Sequence, residues 1–514
     1  MTCESKLEKD TPPGKTSRPE LDDQSKRLSS TVLAILLSIL VLAAAYYIQY
    51  IRSYKPIEKR LEDTLNSLLK IERDAQVNVD AKIAIGYGAC LDYIVPSRCL
   101  ILNKRNPPTK AYHHVSVDDD NELLEVFAYY FNHGAAAERY INNKTLFGEL
   151  VSISETCDIT RTVGGNAPIM ASRLIKEGIK NILLGAQMSP KLRKYLDSDI
   201  TIAGPQTETD DVHLLIEYPT GENWLDIYSA PRANRFIVHN DDNNPLLKSL
   251  EIFHRQMTVF KPDLFIIGGL QMMEGYPGNG EKKRSRLEKV NQFIKENFVY
   301  DNHGDDHGKK TKIHFEMASY SDEAILRDII ELILPYVDSL GMNEQELPNL
   351  YQMLTYGNLT LVSDPYPRVA MVLDQMRDIY EAMNSYTSGR ISRIHVHTLA
   401  FQAILTQANS GWKHTAAAAA KAALTSHRHT CGSHEIDAAK ARLIMDESFS
   451  TTRSSKQKIK RILFNSNVPV ACWSETIAGQ QIQICVAPVL VCTSVLQTGG
   501  GGDNVSAAGL VLQI

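Results

Sequence analysis

The stretch "TGGGGDNVSAAGL", Thr498–Leu510, is the most informative part of this 514-residue chain. Four consecutive glycines, Gly499–Gly502, help neither a strand nor a helix interior. The small residues after Asp503 suit a helix. A glycine turn that delivers the chain into a helix exposes free backbone N–H groups, and these with the helix dipole make an anion site. An aspartate at that point can take the proton of an attacking hydroxyl during phosphoryl transfer. The plainer reading is a flexible turn with Asp503 as a helix N-cap.

The chain before it alternates short apolar runs with amphipathic ones. Strands are expected at Lys82–Ile85, Asn181–Leu184, Leu264–Ile267, Lys312–Phe315 and Ile391–Val396. Helices are expected at Leu247–Val259, Arg286–Phe298, Asp322–Leu334, Glu344–Leu354 and Ala370–Met383. Such alternation argues for a layered α/β domain with a largely parallel sheet. Val212–Tyr218, the turn "PTGE" and Trp224–Tyr228 read as a β-hairpin of an accessory sheet. The polar, glycine-rich 300–310 reads as a loop, and the alanine run 416–423 as a helix.

Composition narrows the function classes. Lys and Arg number 55 against 60 Asp and Glu, a net charge of −5, which gives no electrostatic reason to expect a nucleic-acid binder. At 43% hydrophobic residues the chain can bury a core. None of the eight cysteines stands in a CxxC pair, which argues against structural zinc.

The polar residues 1–30 are expected to be disordered. Val32–Ile48, broken only by Ser38 and extended to 31–51, reads as an uncleaved membrane anchor with Tyr46, Tyr47 and Tyr50 at one interface. A cleaved signal or a buried helix are the alternatives. Four basic residues on each side leave the orientation open. Residues 52–80 read as a linking helix with Ile57, Leu61, Leu65, Leu68 and Leu69 on one stripe. Sequons occur at Asn143, Asn358 and Asn504.

Further stretches hold candidate chemistry. "KIHFEMAS" puts His314 and Glu316 at a strand end, where open α/β sheets bind ligands. Glu316 there is either a Mg²⁺ carboxylate or a solvated side chain. In "LGMNEQEL", Asn343 caps a helix whose first turn carries Glu344 and Glu346, which serve the dipole or a ligand. "VGGNAP" joins Gly165 and Asn166 at a helix start. "NHGAAAERY" carries Glu138 and Arg139, an exposed helix pair unless they serve a site. "GYGACLD" lacks the third glycine of a dinucleotide fingerprint, and its Asp92 is a hydroxyl acceptor or a loop carboxylate. In "RIHVHTL", His395 and His397 share a strand face, as a buried pair or as ligands. No GxxxxGK[ST], HExxH or GxSxG motif occurs.

Taken in order, "GYGACLD", "GAAAER", "VGGNA", "VHLLIEY", "PRANRFI", "GGLQMMEG", "HFEMAS", "LGMNEQEL", "RIHVHTL" and the final GxGD resemble the eukaryotic ADP-dependent glucokinases, a branch of the ribokinase-like superfamily. The resemblance runs from about Lys82 to the C-terminus. It implies a three-layer α/β/α domain (81–514) with a smaller β-rich lid inserted roughly within 95–240. It also implies transfer of the terminal phosphoryl group of ADP to the 6-hydroxyl of glucose, with Mg²⁺. Asp503 would be the base, and Gly500, Gly501 and Gly502 the anion hole. Glu316 and Glu346, with Asp503, would organise the metal. Asp92, Glu138, Gly165, Asn166 and His213 would bind the sugar. Arg235, Asn343, His395 and His397 fall with the nucleotide set. The body would be monomeric, in the endoplasmic reticulum lumen on a single-pass anchor, or secreted if the N-terminal segment is cleaved. The resemblance departs at Gly501 and Asn504, where relatives carry a bulky apolar and a small residue. That departure leaves room for a weakened sugar or nucleotide binder, and the same scaffold for an ATP-using sugar kinase.

Overall fold

The computed structural model describes residues 20–299 and 310–514, apart from 279, 361–363, 365, 387–389 and 455–458. The first nineteen residues and 300–309 lie outside it, the latter expected to be a loop; of the polar 1–30 expected to be disordered, residues 20–30 are helical instead. The described chain divides into two units between residues 60 and 61.

The large unit is built on a ten-stranded sheet. Its order is Ala471–Ile477, Gln480–Pro488, Phe401–Gln407, Arg393–His397, Ser339–Asn343, Lys312–Glu316, Leu264–Ile267, Lys82–Gly86, Asn181–Gly185, Ile200–Ile202. The seven strands from Arg393–His397 to Ile200–Ile202 are mutually parallel, and the other three add antiparallel. The parallel strands are buried on both faces, and strands such as Leu264–Ile267 and Asn181–Gly185 are accordingly mostly apolar. One apolar cluster packs Phe253, Leu287, Ile325, Leu350 and Met376 on one face. A second packs Met170, Leu174, Ala420, Leu424 and Leu510 on the other. Helices therefore sandwich the sheet in three layers, as expected.

A second, six-stranded sheet runs Ser116–Val117, Ala137–Ile141, Asn234–His239, Val212–Tyr218, Cys90–Pro96, Thr160–Gly164. It has its own core around Phe127, Phe131, Trp224 and Phe236. Two expectations are corrected here. Val212–Tyr218 does not pair with 224–228. It is an inner strand, paired with Asn234–His239 and Cys90–Pro96, while Asn223–Trp224 closes on Tyr228–Ser229 in its own ladder. Glu138 and Arg139 are not on a helix. Strand Ala137–Ile141 buries Arg139, whose guanidinium donates to the carbonyls of His114 and Glu138 at 2.6 Å.

One helix, Glu20–Arg73, carries the chain through Pro56 without a break. Its last turns are buried by Leu65 and Leu68, and Glu72 pairs with Lys421 and Arg428. Among the described residues no helix is long and apolar enough to cross a membrane. The expected span over 31–51 is therefore not supported. Its apolar part, 32–48, has seventeen residues and is interrupted by Ser38, where about 20 predominantly apolar ones are needed.

Candidate functional site

The parallel strands end on a cleft of about 650 Å³, which is where an open α/β sheet binds ligands. The residues that the resemblance assigned line it, apart from His395: Asp92, Glu138, Gly165, Asn166 and His213 from the second sheet and its neighbouring helix start, and Arg235, Glu316, Asn343, Glu346, His397 and Gly500–Asp503 around them. His395 does not. It is fully buried, with Nε2 at 3.1 Å from Gln402 Oε1 and its ring against Gly509. The His395 expectation is therefore corrected. Only His397, at the strand end, reaches the cleft.

Gly500 adopts φ 67°, a turn that favours glycine, and opens the helix Gly501–Val511. Asp503 falls in its first turn, with Oδ1 accepting from Asn166 Nδ2 at 2.8 Å. Burial, with Glu316 nearby, pushes its carboxyl up to about 7. Asn504 turns away from Asp503. It donates to the Gly500 carbonyl at 2.8 Å and accepts from Arg173 at 2.9 Å. Its place in the sequence thus braces the glycine turn.

Glu316 accepts from His314 Nε2 at 2.9 Å and from the Ser506 hydroxyl at 2.6 Å, with His397 Nε2 at 3.6 Å. Burial alone would raise this carboxyl, but His314 and His397 outweigh it and hold it down at about 2. Glu346 and Asn343 form a reciprocal cap: Asn343 Oδ1 accepts from the Glu346 amide at 2.9 Å, and the Glu346 carboxylate accepts from the Asn343 amide at 2.8 Å. Burial raises Glu346 to about 8, with Glu316 and Asp503 adding to the rise. Glu316, Glu346 and Asp503 are hard oxygen donors that line the same cleft, the donor chemistry of a divalent cation of the Mg²⁺ type.

Opposite these, burial raises Asp92 to about 6. His213 lies 3.0 Å from Asp241. Burial opposes charge on His213, but Asp241 and Glu138 outweigh it and raise the imidazole to about 10.

Several residues escaped the sequence reading. Glu217, on strand Val212–Tyr218, accepts from the Thr498 amide at 2.9 Å, the Thr498 hydroxyl at 2.7 Å and the Gly499 amide at 3.2 Å. Gln271 donates to Asn166 at 3.0 Å. Gly164 leaves the space that Asp92 fills, since a Cβ there would lie 1.8 Å from Asp92 Oδ1. Ser506 sits within the quoted stretch and Gly164 within "VGGN", so both were in view without a signal. Glu217 carried none.

The ADP-specific phosphofructokinase/glucokinase conserved region matches residues 81–512. An ADP-dependent glucokinase of Bos taurus is 32% identical over 436 residues, covering 84% of each chain. A probable ADP-dependent glucokinase of Caenorhabditis elegans is 29% identical over 454 residues, again 84% of each. Among solved structures, an ADP-dependent kinase in complex with fructose-6-phosphate and ADPβS superposes with TM-score 0.60 at 17% identity, over 88% of this chain and 97% of that one, a likeness of fold. By sequence and by fold, the chain belongs to the ADP-specific phosphofructokinase/glucokinase family.

Proposed function

We propose that this chain is an ADP-dependent glucokinase, moving the terminal phosphoryl group of ADP to the 6-hydroxyl of glucose and leaving AMP. The observation that carries the reading is the placing of Asp503 where a glycine turn meets helix amides, in one cleft with the Glu316 and Glu346 carboxylates. In this reading Asp92, Glu138, Asn166 and His213 hold the sugar hydroxyls. Asp503 takes the 6-hydroxyl proton as that oxygen attacks. The amides of Gly500–Gly502 and the Arg235 guanidinium hold the phosphoryl oxygens. Phosphoryl transfer needs mainly such positioning and charge neutralisation. Mg²⁺, when bound, would neutralise phosphate charge beside Glu316, Glu346 and Asp503. The second sheet would act as a lid that excludes water. One chain supplies the whole set, so a monomer suffices.

The test is a coupled assay of residues 52–514 with glucose and Mg²⁺, comparing ADP with ATP. Product from ADP supports the reading. Turnover with ATP alone shifts it to an ATP-using kinase. Ligand-induced stabilisation with no product from either donor makes it a binder.

We also place the body in an oxidising compartment, the endoplasmic reticulum lumen. Disulfides Cys99–Cys157, Cys431–Cys492 and Cys472–Cys485 support this. Asn143 and Asn358 are exposed and open to glycans, while Asn504 is buried. Exposed apolar side chains such as Leu33, Ile35, Leu40, Leu42 and Ile48 support attachment to a membrane surface. Six free thiols in place of the three disulfides, or recovery of the unwashed full chain wholly in the soluble fraction, would each refute its half of this placement.

A further inference from the structure

Behind His213 of the proposed sugar wall stands a second imidazole, His239, which does not line the cleft. His213 and His239 are cross-strand partners, and Glu138 shares their face on the next strand. Both histidines are buried. Asp241 Oδ1 lies 3.0 Å from His213 Nε2 and 3.0 Å from His239 Nδ1. Only the first contact is aligned as a hydrogen bond, and His239 Nδ1 is left without one. Each ring then turns its other nitrogen to one oxygen: His213 Nδ1 is 3.7 Å and His239 Nε2 is 3.5 Å from Glu138 Oε1. The three facing atoms all lie within 4.8 Å of one another. A tetrahedral centre with bonds of about 2.0–2.1 Å keeps its ligand atoms about 3.4 Å apart. A carboxylate behind the imidazoles is also how metal-binding histidines are held in the right tautomer.

We propose that Glu138, His213 and His239 bind a zinc-type cation, separate from the Mg²⁺ of catalysis, and that its binding excludes the sugar. Two imidazole nitrogens and one carboxylate oxygen suit Zn²⁺ and disfavour Mg²⁺, which takes oxygen ligands and keeps its waters. Glu138 and His213 line the cleft, so the ion has an entry and its fourth position can hold water. Any proton on the facing nitrogens leaves to solvent as the ion binds. Cys90, Asp92 and His213 form an overlapping set. There Cys90 Sγ donates to Asp92 at 3.3 Å, so the thiol already serves that carboxylate.

The exclusion of sugar rests on the proposed glucokinase reading, but the binding of metal does not. The test dialyses the metal-free full chain against ZnCl₂ with saturating Mg²⁺, with and without glucose. The wild type should hold one more Zn²⁺ per chain than His239→Gln, and saturating glucose should weaken that binding at least tenfold. Zn²⁺ should inhibit competitively against glucose, and His239→Gln should turn over normally while needing at least tenfold more Zn²⁺ for half-inhibition. Equal bound zinc in wild type and His239→Gln overturns the site. Should His239→Gln fail to fold, Co²⁺ added to the wild type must give tetrahedral visible bands, and their absence also overturns it. Zinc lost in the variant but indifferent to glucose upholds the metal site and refutes the sugar assignment of Glu138 and His213.

Discussion

Replacing Asp503 by Asn should trade activity for stability. Asparagine keeps the oxygen that accepts from Asn166 and has nearly the same volume, so the fold is spared. What goes is a negative charge that the site holds at a cost. A carboxyl moved from 3.8 to about 7 corresponds to an upper bound of about 4 kcal/mol at about 1.4 kcal/mol per tenfold change in proton affinity. Asp503 is only half-buried and opens on the cleft, so water screens the effect and roughly 1–2 kcal/mol is expected. The sign follows from linkage. Below pH 3.8 the side chain is neutral folded and unfolded, and the variant gains nothing. Between pH 4 and 7 the unfolded chain ionises while the folded one resists, so the advantage of the variant grows. Above pH 7 it is constant. Urea unfolding without Mg²⁺ at pH 4 and pH 8 measures it, and turnover should fall about 10²–10⁴-fold. A variant as active as the wild type, or one equally destabilised at both pH values, would refute the reasoning.

Gly164→Ala should evict the Asp92 carboxylate, because the new Cβ would lie 1.8 Å from it. Steady-state kinetics should show roughly a 10²-fold loss in kcat/KM for glucose. Ser506→Ala removes a fully buried donor to Glu316, and denaturant melts should register about 1.5–3 kcal/mol of destabilisation, with a raised Mg²⁺ requirement in the assay. Gly501→Ala meets nothing closer than His429 Cδ2 at 3.7 Å, so thermal melts should show a gain of about 0.5–1 kcal/mol from reduced chain entropy. Glu217→Ala frees the Thr498–Gly499 backbone, and kcat should fall while circular dichroism stays that of the wild type.

What was legible in the sequence is what local chemistry encodes. Parallel strands buried on both faces read as apolar runs, and Leu264–Ile267 is found at the expected bounds. The glycine turn before Asp503 announced itself because four glycines have no other local use. Glu138 was ambiguous, since "AAAERY" suits a helix by propensity. Tertiary pairing with Asn234–His239 made it a strand. The hairpin failed for the same kind of reason: partners of Val212–Tyr218 come from residues 90–96 and 234–239, beyond any turn signal. His395 and His397 differ only in distance from the strand end, which alternation along a strand cannot tell apart. Glu217 and Ser506 act through contacts 281 and 190 residues apart, and no spacing rule reports those.

Glu217 has one more consequence. It belongs to the sheet that carries Asp92, Glu138 and His213, yet its carboxylate accepts from the backbone just ahead of Asp503, the proposed proton acceptor. A tug on one arm of the enzyme is therefore felt in the other. Sugar arriving on its own wall would set the aim of the aspartate across the gap before any nucleotide has docked, so the order in which substrates enter should matter to speed.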